Sequence, residues 1–575
     1  MKLQYLVTLC TVFSAASISV AAQSAQELLD SVLNPDPADA SYSSYASQIY
    51  YNATLYNQTP IASTNFDRLE ASAKLLLPAT AYNYAAGGAG LEKTVAANRE
   101  AFDFWRIIPQ VMHDVSPSRN LSTSLFGRRV PAPVVMAPVG VQTLFHPTGE
   151  HATAKVFGEM GLPYTLSTAT STGFADVAKA NGNNPRWYQL YWPSDDDLTR
   201  SYLRSAKQNG YEVLVVTVDT WDLGWRTRDL DQGYFPFIRG IGVQIGLEDA
   251  CVHEKLGFNP LAPNATAEQK QMAALYHVIT TSRGISPVWR HLTKLRDWWG
   301  DRPIVLKGIQ SVVDAVKAVE YGMDGIIISN HGGRQIDGAI GSLETLPAIV
   351  EAVKGKITIG FDGGIRSGAD IFKVIALGAD FVQLGRPILW GLAHEGEKGV
   401  RHVLKSLLAE FDLTVGLSGC QELGDVNSTL LAASSFAPTT DSFFNVSLIV
   451  LDGISDPSSA AHQLDPGLKP IALLCSAPQV LLLHFPRGFD DFLVDSLGLG
   501  STADIFHGFN QQDSVKHPKS NDVLRIRHKA RRGIYHCAFV VVACGGESEE
   551  PIACSRFNVI GVFYGNSWKT TISGQ

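Results

Sequence analysis

Between about residues 71 and 420, short apolar runs alternate with stretches whose apolar positions recur at helical spacing. The runs cover 133–137, 163–167, 187–191, 213–218, 303–306, 325–328, 357–361 and 381–384. The run at 325–328 is continuously apolar and β-branched, the pattern of a strand buried on both faces. Eight such units, each followed by a plausible helix, predict an α/β chain folded as a (β/α)8 TIM barrel. A doubly wound sheet competes, but it rarely needs eight units. The interval 240–299 is too long for one connection, so a lid-like insertion over the barrel mouth is expected after the fourth strand. Residues 289–299 would form the helix that returns to the fifth.

The flanks read differently. Residues 23–70 are polar, rich in Ser, Tyr and Asn, and weakly patterned: an N-terminal arm. The barrel is expected over 71–430, and no fold is assigned to the tail at 431–575, where helix and strand signals weaken. An isolated basic run, Arg525 to Arg532, reads as a solvated segment. A net charge of -8 with no long basic face argues against nucleic acid as the main partner.

Residues 1–22 have the form of a secretory signal: Lys2, an apolar and small-residue stretch to Val20, and small residues at Ala21 and Ala22. Six glycosylation triplets, at Asn52, Asn57, Asn120, Asn264, Asn427 and Asn445, agree with a secreted or secretory-pathway protein. The later apolar run 471–485 is interrupted by Ser476, Pro478 and Gln479, so no membrane span is expected after signal cleavage. Cys475, Cys537, Cys544 and Cys554 cluster in the tail and permit disulfides whose pairing is open.

Chemistry gathers just past the predicted strands, which in a barrel share one active face. The sixth run is followed by Ser329-Asn330-His331-Gly332-Gly333-Arg334-Gln335. This brings a base and a carboxylate-binding cation to one mouth, with glycines that allow a sharp turn and close ligand approach. The first run ends in Ala137-Pro138-Val139-Gly140, a tight turn whose amides can face a planar ring. The second supplies Ser167, the third Gln189 and Tyr191, the fourth Thr217, Asp219 and Arg226, and the fifth Lys307. The last two end in Asp362-Gly363-Gly364-Ile365-Arg366 and Gly385-Arg386, Gly-rich turns with arginines that suit a phosphate. No Gly-rich dinucleotide fingerprint follows the first run, so a nicotinamide cofactor is not expected, and no metal site is assigned.

These motifs resemble the FMN-dependent 2-hydroxy-acid oxidases and dehydrogenases across residues 71 to about 425. The likeness runs through Tyr82-Asn83-Tyr84, Trp187-Tyr188-Gln189-Leu190-Tyr191, Thr217-Val218-Asp219-Thr220, Leu306-Lys307-Gly308-Ile309, the heptad at 329–335 and Leu417-Ser418-Gly419-Cys420. Tyr84-Ala85-Ala86-Gly87-Gly88-Ala89-Gly90 and Leu223-Gly224-Trp225-Arg226 look most like the lactate 2-monooxygenase branch. The resemblance implies His331 as the base and Asp219 as the group that orients it. It implies Arg226 and Arg334 as a carboxylate clamp, with Tyr84 and Tyr191 as further substrate-binding residues.

The same resemblance makes FMN the cofactor. Its implied binding set is Pro138, Val139, Gly140, Ser167, Gln189, Thr217, Lys307, Ser329, Asp362, Gly363, Gly364, Arg366, Gly385 and Arg386, with Lys307 placing positive charge by the flavin. The implied partners are a small 2-hydroxy acid and dioxygen, and a homo-oligomer is expected. Ala169 stands where some relatives carry a larger residue, which could admit substituents beyond methyl. Gly140 stands where typical oxidases tend to carry alanine; the missing methyl is expected to change the space behind the flavin and slow release of the 2-oxo acid. Retained product would then be decarboxylated in place. A simple oxidase releasing hydrogen peroxide and a dehydrogenase using an external acceptor are the alternatives, and the intact acid–base and arginine set argues against a vestigial, non-enzymatic barrel.

Overall fold

The computed structural model describes residues 41–116, 119–282, 284 and 286–434, together with the backbone of five strands between 447 and 539. The expected signal segment, Asn445, Cys544 and Cys554 and the side chains of Cys475 and Cys537 lie outside the described residues. The chain divides into two units, parting after Ser434.

In the first unit eight parallel strands close into a barrel in sequential order. They are β1 Val134–Met136, β2 Tyr164–Ser167, β3 Arg186–Leu190, β4 Val213–Thr217, β5 Ile304–Ile309, β6 Gly325–Ile328, β7 Thr358–Phe361 and β8 Phe381–Leu384. Why these segments are strands is clearest in β4, which is buried throughout. Val213 and Val215 join the barrel-interior cluster with Val135, Trp187, Val305, Ile327 and Phe381, while Leu214 and Val216 pack in the larger cluster outside it. Alternate side chains of one strand thus meet two apolar layers, and each fully buried aliphatic contributes about 1.5–3 kcal/mol. A hairpin, Thr123–Leu125 with Arg128–Val130, adds Leu125 and Val130 to the interior cluster and so plugs one end of the barrel.

The excursion between β4 and β5 carries helices Gln244–Glu248, Ala250–Leu256 and Ala267–Thr281, and returns through Leu292–Trp299 as expected. The polar arm is more ordered than its pattern suggested, holding helices Ser44–Tyr56 and Phe66–Leu76. An antiparallel pair, Trp105–Ile107 with Leu431–Ala433, ties the start of the unit to its end. No helix among the described residues is long and apolar enough to cross a membrane. The five described triplet asparagines are exposed.

In the second unit Ser447–Asp452, Gln479–His484 and Ala472–Ser476 form an antiparallel sheet with the middle segment central. Leu524–Ala530, within which most of the basic run falls, pairs with Gly533–Phe539 in a hairpin.

Candidate active site at the strand ends

The residue two positions beyond each interior apolar residue points to the same, inward face of its strand. Val305 is followed by Lys307, Ile327 by Ser329, Trp187 by Gln189, Val215 by Thr217 and Phe381 by Gln383. With Ser167 and Asp362 these form a polar floor under the mouth. Ser167 Oγ donates to Gln189 Oε1 at 2.9 Å, and Gln189 Nε2 donates to Thr217 Oγ1 at 2.9 Å. Lys307 Nζ donates to Ser329 Oγ at 2.8 Å and pairs with Asp362 at 2.9 Å, while Ser329 Oγ donates to Asp362 Oδ1 at 2.6 Å. Burial opposes the charge on Lys307, but Asp362 and Asp219 outweigh it and hold its pKa above the ordinary lysine value.

Past β6 the chain turns through three left-handed residues, His331 (φ 57°), Gly332 (φ 65°) and Gly333 (φ 77°). Glycine adopts this conformation freely; for histidine it costs of order 1–3 kcal/mol, and the surrounding bonds hold it there. The Asn330 side chain accepts from Gly333 N–H at 3.0 Å, and Ser329 Oγ accepts from His331 N–H at 3.0 Å. The ring then lies with Nδ1 2.9 Å from Asp219 Oδ1 and Nε2 3.4 Å from the Tyr191 hydroxyl. Burial lowers the His331 pKa against the pull of Asp219. Burial would raise Asp219, but His331 outweighs it and the carboxyl is lowered. The pair is therefore a neutral imidazole beside a carboxylate, with Nε2 free to accept a proton on the cavity side.

Four guanidinium groups surround the cavity, and among the described residues none pairs with a carboxylate. Arg226 donates to Arg334 O at 3.3 Å and to Gln335 Oε1 at 3.2 Å. Arg334 lies over the Tyr84 ring, 5.0 Å from its centre, and donates to the carbonyls of Tyr84 and, at 3.0 Å, of Gly87. Arg386 donates to the carbonyls of Ala85 at 2.8 Å and Gly332 at 2.9 Å, and Arg366 to that of Ile365 at 2.9 Å. Burial and Arg226 push Arg334 down to about 10; burial, Arg334 and Arg366 push Arg386 down to about 9. Unmatched cations at this density call for anionic ligands. Arg366 and Arg386 belong to the Gly-rich turns, where Gly363 and Gly364 take φ of 109° and 88°, and a Cβ on Gly364 would fall 2.2 Å from Asn98 O.

One cavity collects most of the expected site. Tyr84, Pro138, Val139, Gly140, Ser167, Tyr191, Arg226, Lys307, His331, Arg334, Asp362, Gly363, Gly364, Arg366, Gly385 and Arg386 all line it. Asp219, Gln189 and Ser329 stand behind it, bonded to His331, Ser167 and Lys307 of its lining, and Thr217 is bonded in turn to Gln189. Phe235, Phe237, His277, Val278 and Thr281 of the excursion form part of its wall.

The expectation for Gly140 needs correction. A Cβ there would lie 2.2 Å from the carbonyl oxygen of Ala169, so backbone already fills the space of the missing methyl. The glycine is needed because the loops after β1 and β2 touch: Val141 N–H donates to the same Ala169 carbonyl at 2.9 Å.

Two residues were not singled out by sequence reasoning. Thr220 Oγ1 donates to Asp219 Oδ1 at 2.8 Å and lies 2.9 Å from His331 Nδ1; its place beside Asp219 in the Thr217–Thr220 motif was the available signal. Gln383 is buried on β8, neither of its amide atoms has a partner among the described residues, and it lines the cavity. A polar residue inside an apolar run was its only mark.

Comparison with known proteins gives the same answer from another direction. The chain is 44% identical to the FMN-dependent alpha-hydroxy acid dehydrogenase qulF of Penicillium citrinum, over 69% of this chain and 97% of that protein. It is 37% identical to the L-lactate oxidase of Lysinibacillus sphaericus, over 64% and 92% respectively. A crystal structure of mandelate oxidase with (S)-4-hydroxymandelic acid superposes with a TM-score of 0.56 at 36% identity, covering 64% of this chain and 98% of that one. Residues 73–433 match the FMN-dependent dehydrogenase family as a whole, and the chain belongs to that family of flavin-dependent oxidoreductases.

Proposed function

We propose that this protein oxidises a small L-2-hydroxy acid of the lactate type with FMN, uses dioxygen as acceptor, and completes an oxidative decarboxylation before the product leaves. The observation that carries the reading is the His331–Asp219 pair facing two arginines, Arg226 and Arg334, that pair with no carboxylate among the described residues. A 2-hydroxy acid supplies that carboxylate and places its oxidisable carbon next to it.

The cavity suits FMN. Arg366, Arg386 and the Gly363–Gly364 turn would hold the phosphate, and Lys307, Gln189 and Thr217 the polar edge of the ring. Bound there, FMN would supply a two-electron acceptor that dioxygen can reoxidise. The chain does the rest. Arg226 and Arg334 clamp the substrate carboxylate, and Tyr84 and Tyr191 orient it. His331 Nε2 takes the proton of the reacting centre, and Asp219 stabilises the resulting imidazolium. The excursion limits water.

The decarboxylating form rests on the sequence likeness to the lactate 2-monooxygenase branch and on the same clamp. A 2-oxo acid keeps the carboxylate that Arg226 and Arg334 grip, so it would still be held when hydrogen peroxide forms beside it. Pyruvate and peroxide then give acetate, carbon dioxide and water. The test is dioxygen uptake by the FMN-loaded protein with L-lactate, with and without catalase. No effect of catalase, with acetate accumulating, is the expected result. Return of half the dioxygen by catalase, with pyruvate accumulating, would reduce the reading to a simple oxidase. Lactate oxidation that proceeds only with an added electron acceptor would replace dioxygen in it.

A further inference from the structure

We infer that Gln383 is a further flavin-binding residue, its carboxamide taking a hydroxyl of the polyol chain that joins the FMN phosphate to its ring. The inference rests on the cofactor cradle just proposed. In the polar floor of the barrel, Ser167, Gln189, Thr217, Lys307, Ser329 and Asp362 satisfy one another. Gln383 does not join them. It sits two residues beyond interior Phe381 and is only 2% exposed, yet neither Nε2 nor Oε1 has a partner among the described residues. It lines the same cavity as Asp362, Arg366 and Arg386. A buried carboxamide with both ends unmade is costly, and such a group persists where a ligand or a buried water completes it.

Its place selects the part of the ligand. The phosphate-binding arginines follow β7 and β8, whereas Gln189, Thr217 and Lys307, which suit the ring edge, stand on β3, β4 and β5. FMN held at both of these places would run its connecting polyol between the β7–β8 side and those strands. Gln383 on β8 is the floor residue there with both a free donor and a free acceptor. A hydroxyl can use both, since it donates one proton and accepts at its lone pairs, whereas a phosphate could use only the N–H groups.

The competing occupant is a resident water. Thr165 Oγ1 on β2 is also buried and unpaired, and a water shared with it would make Gln383 structural. Flavin binding separates the two. Apo-protein of the full chain is titrated, by quenching of flavin fluorescence, with FMN and with an analogue whose side chain is a plain pentyl phosphate without hydroxyls. Thermal melting of the apo-protein is recorded alongside. For Gln383→Leu and Gln383→Met the expected result is an FMN Kd raised about tenfold, an analogue Kd little changed, and apo melting unchanged or raised because an unpaired amide is gone. Gln383→Asn, which keeps the amide but withdraws it by one methylene, should weaken FMN selectively too, and serves if the apolar variants do not fold.

An unchanged FMN Kd, or equal losses on FMN and the analogue, overturns the assignment. So does apo melting that falls while FMN binding holds, which is the signature of the water. Wild-type protein that binds no FMN would overturn the cradle itself, a different failure from wild-type binding with indifferent variants.

Discussion

At the scale of single residues, the decisive feature is which nitrogen of His331 carries the proton. Asp219 accepts at Nδ1, so Nε2 keeps its lone pair toward the cavity. Asp219→Asn preserves the shape but can turn an amide N–H toward Nδ1, which favours the tautomer with no lone pair on the reacting side. General acid–base assistance is worth about 10²–10⁴ in rate, and a loss of kcat in that range with little change in KM is expected here. Burial also lowers the His331 pKa below its ordinary 6.5. Protonation removes the base, so the acid limb of kcat/KM should lie below that value and activity should persist into mildly acidic solution. A limb at or above it, or an Asp219→Asn enzyme of near wild-type kcat, would remove His331 from the role of base.

At the scale of elements, the excursion wall is held by a second histidine, buried and apart from the His331–Asp219 pair. His277, on helix Ala267–Thr281, bonds the Tyr202 hydroxyl through Nδ1 at 2.7 Å and also the Thr168 backbone; burial pushes its pKa down to about 4. Since the native pKa is below the unfolded value, the unfolded segment takes the proton first. The associated stability is whole above pH 6.5 and drains as pH falls toward 4. The shift corresponds to about 3 kcal/mol, of which roughly 2 should be gone at pH 5. Hydrogen exchange across residues 267–281 should accordingly show lower protection at pH 5 than at pH 7 after correction for intrinsic rates, and His277→Gln should flatten the difference. Equal protection in the wild type would mean that His277 does not set the pH response of the wall.

Much of this element plan was legible in the chain. Every predicted run overlaps a strand, and 325–328 and 381–384 coincide with β6 and β8, because strands buried on both faces leave largely apolar runs. The fifth strand runs past its predicted end to Ile309 since Lys307, which looked like a terminus, is neutralised by Asp362 inside the barrel. Helix Ser44–Tyr56 buries none of its residues and helix Phe66–Leu76 only Phe66, Leu69 and Ala73, so neither writes a strong period. Motif residues at strand ends were readable because they recur in runs. Gln383 was not, because a lone polar residue in a strand looks like an interruption, and Gly140 was misread because what limits it is the Ala169 backbone, distant in sequence.

For the whole molecule, the question is how much chain the chemistry needs. Every described residue lining the cavity falls between Tyr84 and Leu389. The strand pair that ties the ends of the barrel unit together, Trp105–Ile107 with Leu431–Ala433, lies wholly before the division at Ser434. The family match also ends at residue 433. Among the described residues the core, closure and site of this unit are internal to it, so it is a domain in the physical sense and should fold without residues 435–575. A chain ending at Ser434 is therefore expected to take up one FMN and to melt cooperatively, with kcat/KM within about twofold of the full chain. The measurement is flavin content and steady-state rate of both forms, purified side by side. Loss of flavin from the shorter form would mean that residues beyond 434 complete the cradle. Retained flavin with a changed substrate preference would instead make those residues a determinant of access to the mouth.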